Sequence, residues 1–283
     1  MSTQDSDRYA VIGHPVAHSQ SPFIHAEFAR LTGEPVDYGR IECPLDGFEA
    51  SVRRFEHEGG RGCNVTVPFK LDAWALATWR TERAELAGAA NVLRFDAHGW
   101  WADNTDGIGL VRDIELNAGR PLAGSRVLLV GAGGAGAGVL GPLLQGRPAT
   151  LTVCNRTGAK ADALVQRHAG LARAVAADLC SLPLAAPGVG YDIVINASAS
   201  SLQGADVPVP ASVLAPGALA VDLMYGAAAA PFLRWAADAG ASARDGLGML
   251  VEQAAEAFFD WRSVRPPSAP VLAALRQRLA ARP

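Results

Sequence analysis

The run Gly131-Ala132-Gly133-Gly134-Ala135-Gly136 follows directly on the apolar stretch Arg126-Val-Leu-Leu-Val130, and no other segment restricts the fold of this chain as strongly. A strand that ends in a GxGxxG turn and reopens as a helix lets backbone N–H groups approach a pyrophosphate at the helix N-terminus. Taken alone, the same glycines would also serve close packing of a helix on a strand, so the surrounding sequence decides the reading.

The next apolar run, Leu151 to Cys154, leads into Asn155-Arg156-Thr157. This lies about 20 residues beyond the glycines, where a domain that prefers NAD carries an acid for the ribose 2′-hydroxyl. Here the acid is missing. The Arg156 guanidinium suits bidentate bonds to a 2′-phosphate, and Lys160 would stand one turn further if a helix starts there. The expected cofactor is therefore NADP, held as NADPH in the reduced state. Apolar runs at Tyr191 to Ile195 and Leu219 to Leu223, with room for helices between, supply the further strands of a doubly wound sheet.

A chain of 283 residues leaves room for a second domain. Before about Thr105 the pattern predicts a strand at Tyr9 to Ile12, a helix at Pro22 to Leu31, a strand at Val36 to Ile41, a helix at Phe48 to Phe55 and a strand at Cys63 to Val67. This alternation argues for a parallel-sheet α/β unit. The stretches Leu250 to Phe259 and Val271 to Leu279 have helical spacing but are too short for a core of their own, and are expected to pack back on the first domain.

Composition excludes several classes. Apolar residues make up 49% of the chain, yet Gly, Pro or charge interrupts them before the ~18 residues of a membrane helix are reached. The opening MSTQDSDRYA has no basic stretch followed by an apolar run, so a cytoplasmic location is the default expectation. A net charge of −3 without clustered Lys or Arg argues against a nucleic-acid partner. The cysteines Cys43, Cys63, Cys154 and Cys180 read as reduced thiols, and His14, His18 and His25 lack the acid partner and spacing of a metal site, so no metal is expected. Trp74, Trp79, Trp100 and Trp101 read as packing residues in the absence of a basic groove.

Three polar clusters stand out in the first zone. Ser19 and Ser21 precede a helix with Pro22 at its start; Ser21 suits the cap, and the pair also suits a small carboxylate. Asn64-Val-Thr66-Val-Pro68-Phe-Lys70 places polar side chains at alternate strand positions, with Lys70 in the turn or helix start beyond Pro68. Asp103-Asn104-Thr105-Asp106-Gly107 joins the two zones, where a cleft would open.

These clusters, with Gly88-Ala-Ala-Asn91, the Gly131 loop, Asn155-Arg-Thr157 and Asp245-Gly-Leu-Gly-Met249, occur in an order that resembles the shikimate dehydrogenase family over nearly the whole chain. The resemblance implies an α/β protein of two domains. Residues 1–106 and 246–283 would form the substrate domain, completed by the C-terminal helices, and 107–245 a Rossmann-type NADP-binding domain. It implies an oxidoreductase that interconverts 3-dehydroshikimate and shikimate on the route to chorismate and the aromatic amino acids.

By the same resemblance Ser19, Ser21 and Tyr225 would hold the substrate carboxylate, Asn64, Thr66, Asn91 and Gln253 would line the ring hydroxyls, and Lys70 with Asp106 would be the catalytic pair. The cofactor would meet Gly131 to Ala135, Asn155, Arg156, Thr157, Lys160, Ser198, Leu223, Gly246 and Met249, with Gly248 near the nicotinamide end. Either Lys70 transfers the proton, or it stays charged while solvent or Asp106 does so. The partners expected are the small-molecule substrate and cofactor, with the chain as monomer or homodimer. The rival readings are a quinate/shikimate dehydrogenase using NAD, against which Asn155-Arg156 speaks, and a non-catalytic NADP-binding sensor, against which the presence of Lys70 and Asp106 speaks.

Overall fold

A computed structural model describes residues 6–198 and 207–281. The chain divides into two compact units, one formed by the chain up to Gly109 and again from Val251, the other by Leu110–Leu250.

The first unit opens with β1 (Asp7–Gly13), α1 (Ser21–Thr32), β2 (Val36–Glu42), α2 (Phe48–His57) and β3 (Gly60–Val65). It continues with α3 (Lys70–Leu76), β4 (Trp79–Arg80), α4 (Glu82–Ala87), β5 (Val92–Asp96) and β6 (Gly99–Asp103). Its sheet has the order β2-β1-β3-β5-β6-β4. The central β1 is buried from Tyr9 through Gly13, as a strand covered on both faces should be. α2 buries Phe48, Ser51, Val52 and Phe55, one stripe of a helix, against that sheet.

The parallel pairing expected for this zone holds for β2, β1 and β3. β5, however, runs antiparallel to both β3 and β6, so the sheet is mixed. The hairpin turns through Ala97 and His98, and its two short half-buried strands lack the apolar run that announces a buried parallel strand. Two local expectations are also corrected. The N-cap position of α1 falls to Gln20 and Ser21 is the first helical residue, so Ser21 does not cap the helix. β3 ends at Val65; one further ladder bond runs from Thr66 N to Ile12 O before the chain turns at Pro68.

α5 (Asp106–Arg112) leads through a π turn, Asp113–Asn117, into the second unit. There follow β7 (Arg126–Val130), α6 (Gly134–Gln145), β8 (Thr150–Asn155), α7 (Gly158–Ala174), β9 (Asp178–Pro183), β10 (Tyr191–Asn196), β11 (Leu214–Asp222), α8 (Ala230–Asp238) and β12 (Ser242–Arg244). The strands are parallel in the order β12-β11-β10-β7-β8-β9, a doubly wound sheet. Val127 and Leu129 pack into one core and Leu128 and Val130 into another, which explains why β7 is continuously apolar: both faces are covered. The strand order reverses between β7 and β10, so a ligand crevice is expected beyond Val130 and Asn196, at their carboxyl ends.

The chain then returns to the first unit through α9 (Leu247–Arg262) and α10 (Ser268–Ala280). α10 packs on α1, and Trp261 of α9 stacks on Tyr9 with ring centroids 4.5 Å apart. The C-terminal helices thus complete the first unit's core.

Candidate active site

The polar residues of the first unit converge because three elements begin or end at one place. α3 starts at Lys70, immediately after the turn that follows β3, and Ala90 N donates to the Lys70 carbonyl, which ties that start to the segment carrying Asn91. α5 starts at Asp106, where the Asp106 N–H donates to Asn104 Oδ1 at 3.2 Å. Asn104 in turn donates to the Ala89 carbonyl at 3.0 Å.

Lys70 Nζ lies 2.6 Å from Asp106 Oδ2, with the two side chains 30% and 13% exposed. The lysine head is therefore open to an incoming molecule, whereas the carboxylate behind it is largely enclosed. Asn91 Nδ2 donates to Asp106 Oδ1 at 2.9 Å and to Gln253 Oε1 at 3.1 Å, and Asn91 Oδ1 accepts from Thr105 N at 2.8 Å. Both ends of the buried Asn91 amide are thus committed, and through it Asp106 and Gln253 are fixed to one another.

The chain of bonds extends outward. Asn64 Nδ2 donates to the Asn91 carbonyl, and Tyr38 Oη donates to Asn64 Oδ1 at 2.6 Å. Burial holds the Tyr38 phenol well above its ordinary pKa, so it remains a neutral donor. Ser19 Oγ donates to Ser21 Oγ at 3.2 Å, beside the first turn of α1. Tyr38, which no sequence motif singles out, belongs to this network, as do Asn104 and Thr105 of the polar cluster expected at the cleft. For Tyr38 a signal existed, since strand alternation puts it on one face of β2 with Arg40 and Glu42.

In the second unit the glycine loop has the geometry its sequence requires. Gly131 adopts φ 116°, and a Cβ there would meet the Ala197 carbonyl carbon at 2.8 Å. A Cβ on Gly136 would run into the Gly131 carbonyl, so α6 can start this close to β7 only with glycine there. The side chain of Asn155 joins two loops: its Oδ1 accepts from Ala132 N at 3.1 Å and its Nδ2 donates to the Thr157 carbonyl at 2.9 Å. α6 has no side-chain cap, and its first-turn N–H groups, from Gly134 on, are those a pyrophosphate would use.

A cavity of about 570 Å³ opens at the carboxyl ends of β8 and β9, lined among others by Asn155, Arg156, Gly158, Asp162 and Ser181. Arg156 and Lys160 are exposed, and Lys160 stands in the first turn of α7, as the spacing predicts. The donor set fits a 2′-phosphorylated dinucleotide, with a guanidinium fork and an ammonium where an acid would stand for NAD.

The remaining cofactor-side residues also lie at strand ends. Ser198 donates from N and Oγ to Asn196 Oδ1, and Asn196 Nδ2 donates to Asp222 Oδ2, bracing β10 against β11. The Leu223 side chain is buried in the unit's core with Met249 packed against the same core, and Gly246 N donates to the Met224 carbonyl at 2.8 Å. Tyr225 sits within this second unit, where burial raises its pKa and keeps the phenol protonated.

Comparison with known proteins agrees with this arrangement. Residues 11–93 match the family described as "Shikimate dehydrogenase substrate binding domain", 114–204 "Shikimate / quinate 5-dehydrogenase", and 246–276 "Shikimate 5'-dehydrogenase C-terminal domain". A curated protein of Acidovorax sp. (strain JS42) named "Shikimate dehydrogenase (NADP(+))" is 62% identical over 279 residues, covering 99% of each chain. The crystal structure of an Ael1 enzyme from Pseudomonas putida superposes with TM-score 0.88 at 50% identity, covering 95% of this chain and 98% of that one. Shikimate 5-dehydrogenase from Thermus thermophilus, solved with NADP(H) and shikimate, superposes with TM-score 0.82 at 30% identity, covering 96% and 99%. On its sequence, its two folded units and these full-length relatives, the chain belongs to the shikimate dehydrogenase family.

Proposed function

We propose that this chain catalyses the reversible NADPH-dependent reduction of 3-dehydroshikimate to shikimate, the step that leads toward chorismate and the aromatic amino acids. The observation that carries the reading is the Lys70–Asp106 pair, fixed from behind by Asn91 and open on the lysine side. Relatives at 62% identity bearing this activity in their name support it.

The bound nicotinamide supplies or accepts the hydride; the rest belongs to the chain. Charge that develops on the ketone oxygen needs a donor beside it, and the Lys70 ammonium is that donor. Asp106 orients Lys70 and balances its charge, and Asn91 keeps Asp106 from rotating. Ser19 and Ser21 receive the substrate carboxylate with Tyr225 as a further donor, and Asn64, Thr66, Asn91 and Gln253 receive the ring hydroxyls. The first unit is in this reading the substrate domain and the second the NADP domain. Gly131 to Ala135, Asn155, Arg156, Thr157, Lys160, Ser198, Leu223, Gly246 and Met249 form its cofactor side. We further infer a cytoplasmic enzyme, active as monomer or homodimer.

The test is NADPH formation, followed by its near-ultraviolet absorbance, with shikimate or quinate against NADP or NAD in all four combinations. Activity confined mainly to shikimate with NADP is expected. Comparable rates with quinate and NAD would move the protein to the broader dehydrogenase subtype, and no activity in any combination would leave a cofactor-binding sensor.

A further inference from the structure

Around the Ser19–Ser21 seat the donors are hydroxyls and backbone N–H groups, none of which carries a charge. Lys70 is matched by Asp106 at 2.6 Å, so that pair adds no net charge to attract an anion. The whole chain has a formal charge of −3, which opposes the approach of a carboxylate from a distance. Arg40 differs from these groups. Its Nη2 donates to the Ser19 carbonyl at 2.6 Å, the residue is exposed, and no carboxylate lies within ion-pair reach of it among the described residues. Its charge therefore stands beside the seat without being cancelled.

The neighbouring charges on β2 and α1 are accounted for. Glu42, on the same face of the strand, accepts from Val16 N at 3.2 Å and lies 3.6 Å from His14 Nδ1. Asp37 falls on the opposite face by strand alternation. The other cation tied to this end of α1, Arg278, lies over the Phe23 ring, 4.7 Å from its centroid.

We propose that Arg40 is the specificity residue that selects a carboxylate-bearing substrate at the Ser19–Ser21 seat, acting by its charge and not by contact with the reacting atoms. The inference rests on the carboxylate seat assigned under the proposed function. The hydroxyls and helix N-terminus of the seat already favour an acid over its ester through charge-assisted hydrogen bonds, and an uncancelled guanidinium beside them widens that preference and draws the acid in. The effect belongs to KM and to its dependence on salt, because the charge acts before and during binding and is the same in ground and transition states.

The experiment compares wild type, Arg40→Gln, Arg40→Lys and Arg278→Gln as substrates and salt are varied. Initial rates with NADP are measured for shikimate and its methyl ester, at low ionic strength and at about 0.5 M KCl, where the screening length is only a few ångströms. We expect Arg40→Gln to raise the KM for shikimate by about 3- to 10-fold at low salt, with the gap largely closed at high salt and kcat unchanged. The ester KM should not move, Arg40→Lys should stay near wild type, and Arg278→Gln, which carries the same change in net charge, should behave as wild type.

A rise in KM that is equal at both salt concentrations, or equal for acid and ester, would make Arg40 a mere brace for Ser19 and overturn the proposal. So would a loss in Arg40→Lys as large as in Arg40→Gln, or an equal effect in Arg278→Gln. If wild type itself handles acid and ester alike, the carboxylate seat is wrong and Arg40 falls with it. If wild type prefers the acid and Arg40→Gln keeps that preference undiminished, the seat stands and only the role of Arg40 is refuted.

Discussion

Lys70 Nζ stands 2.6 Å from Asp106 Oδ2, while the other oxygen of that carboxylate accepts from Asn91 at 2.9 Å, so the lysine is aimed by a group that cannot itself turn away. Replacing Lys70 by Ala removes a donor needed mainly when charge develops on the ketone oxygen. Turnover should fall by about 10²- to 10⁴-fold with only a modest change in the KM for shikimate. Steady-state kinetics on a variant whose thermal melt matches wild type would check this, and near-normal kcat would remove Lys70 from the chemistry.

How much of this was legible in the sequence depends on how local each signal is. The glycine loop, the strand before it and the position of Arg156 are set by adjacent residues, and the structure places Gly134 at the start of α6 and Lys160 in the first turn of α7 as the spacing predicts. The antiparallel β5–β6 hairpin was missed because its short strands are only half-buried and carry no apolar run. Other features exist only after folding. Arg83 on α4 meets Asp103 at the end of β6 and Glu256 on α9, residues far apart in sequence, and no periodicity points to such a meeting. Strand alternation puts Tyr38 on one face with Arg40 and Glu42, but only the fold brings its hydroxyl to Asn64.

Arg156 lines the cavity at the carboxyl ends of β8 and β9, while every residue proposed to touch the substrate ring lies in the other unit. Arg156→Ala should therefore weaken NADP binding and leave the KM for shikimate unchanged. Loss of a charge-assisted bond of about 1.5–3 kcal/mol corresponds to roughly a 10- to 150-fold rise in the Kd for NADP. NAD, which lacks the 2′-phosphate, should bind the variant and wild type equally. Titration of intrinsic fluorescence with each cofactor reads both arms, and an unchanged Kd for NADP would sink the assignment.

His25 is fully buried on α1 against Tyr38, with ring centroids 4.1 Å apart and planes inclined by only 5°, and neither ring nitrogen has a hydrogen-bond partner among the described residues. Desolvation drives its pKa down to about 3, opposed only in part by the Asn64 side chain. The unfolded chain takes up a proton near pH 6.5 that the folded chain refuses, so folding stability is lost as pH falls from there toward 3. His25→Phe keeps an aromatic ring in the cage and removes the titration. The melting temperature of the variant should fall less steeply than that of wild type between about pH 6.5 and 4; parallel curves would refute the account.

Asp260 gives the opposite sign. Its Oδ2 is buried on α9 without a hydrogen-bond partner, and burial, together with the nearby charges of Asp103 and Glu256, pushes its pKa up to about 8 against the attraction of Arg83. The folded state therefore holds a proton that the unfolded state has released above about pH 3.8. Stability is lost as pH rises from that value through 8, the reverse of an ion-paired carboxylate. Asp260→Asn is isosteric and remains neutral. The variant should match wild type near pH 4 and exceed it in Tm at pH 9, with the gap widening as pH rises between them. Arg83 bridges Asp103 and Glu256, so relieving the buried acid should also leave the loop from Asp103 to Asp106 intact at alkaline pH. The activity of the variant should accordingly persist to higher pH in a thermal-inactivation series. A Tm difference between variant and wild type that is constant from acid to alkaline pH would show that Asp260 is ionised in the folded protein throughout.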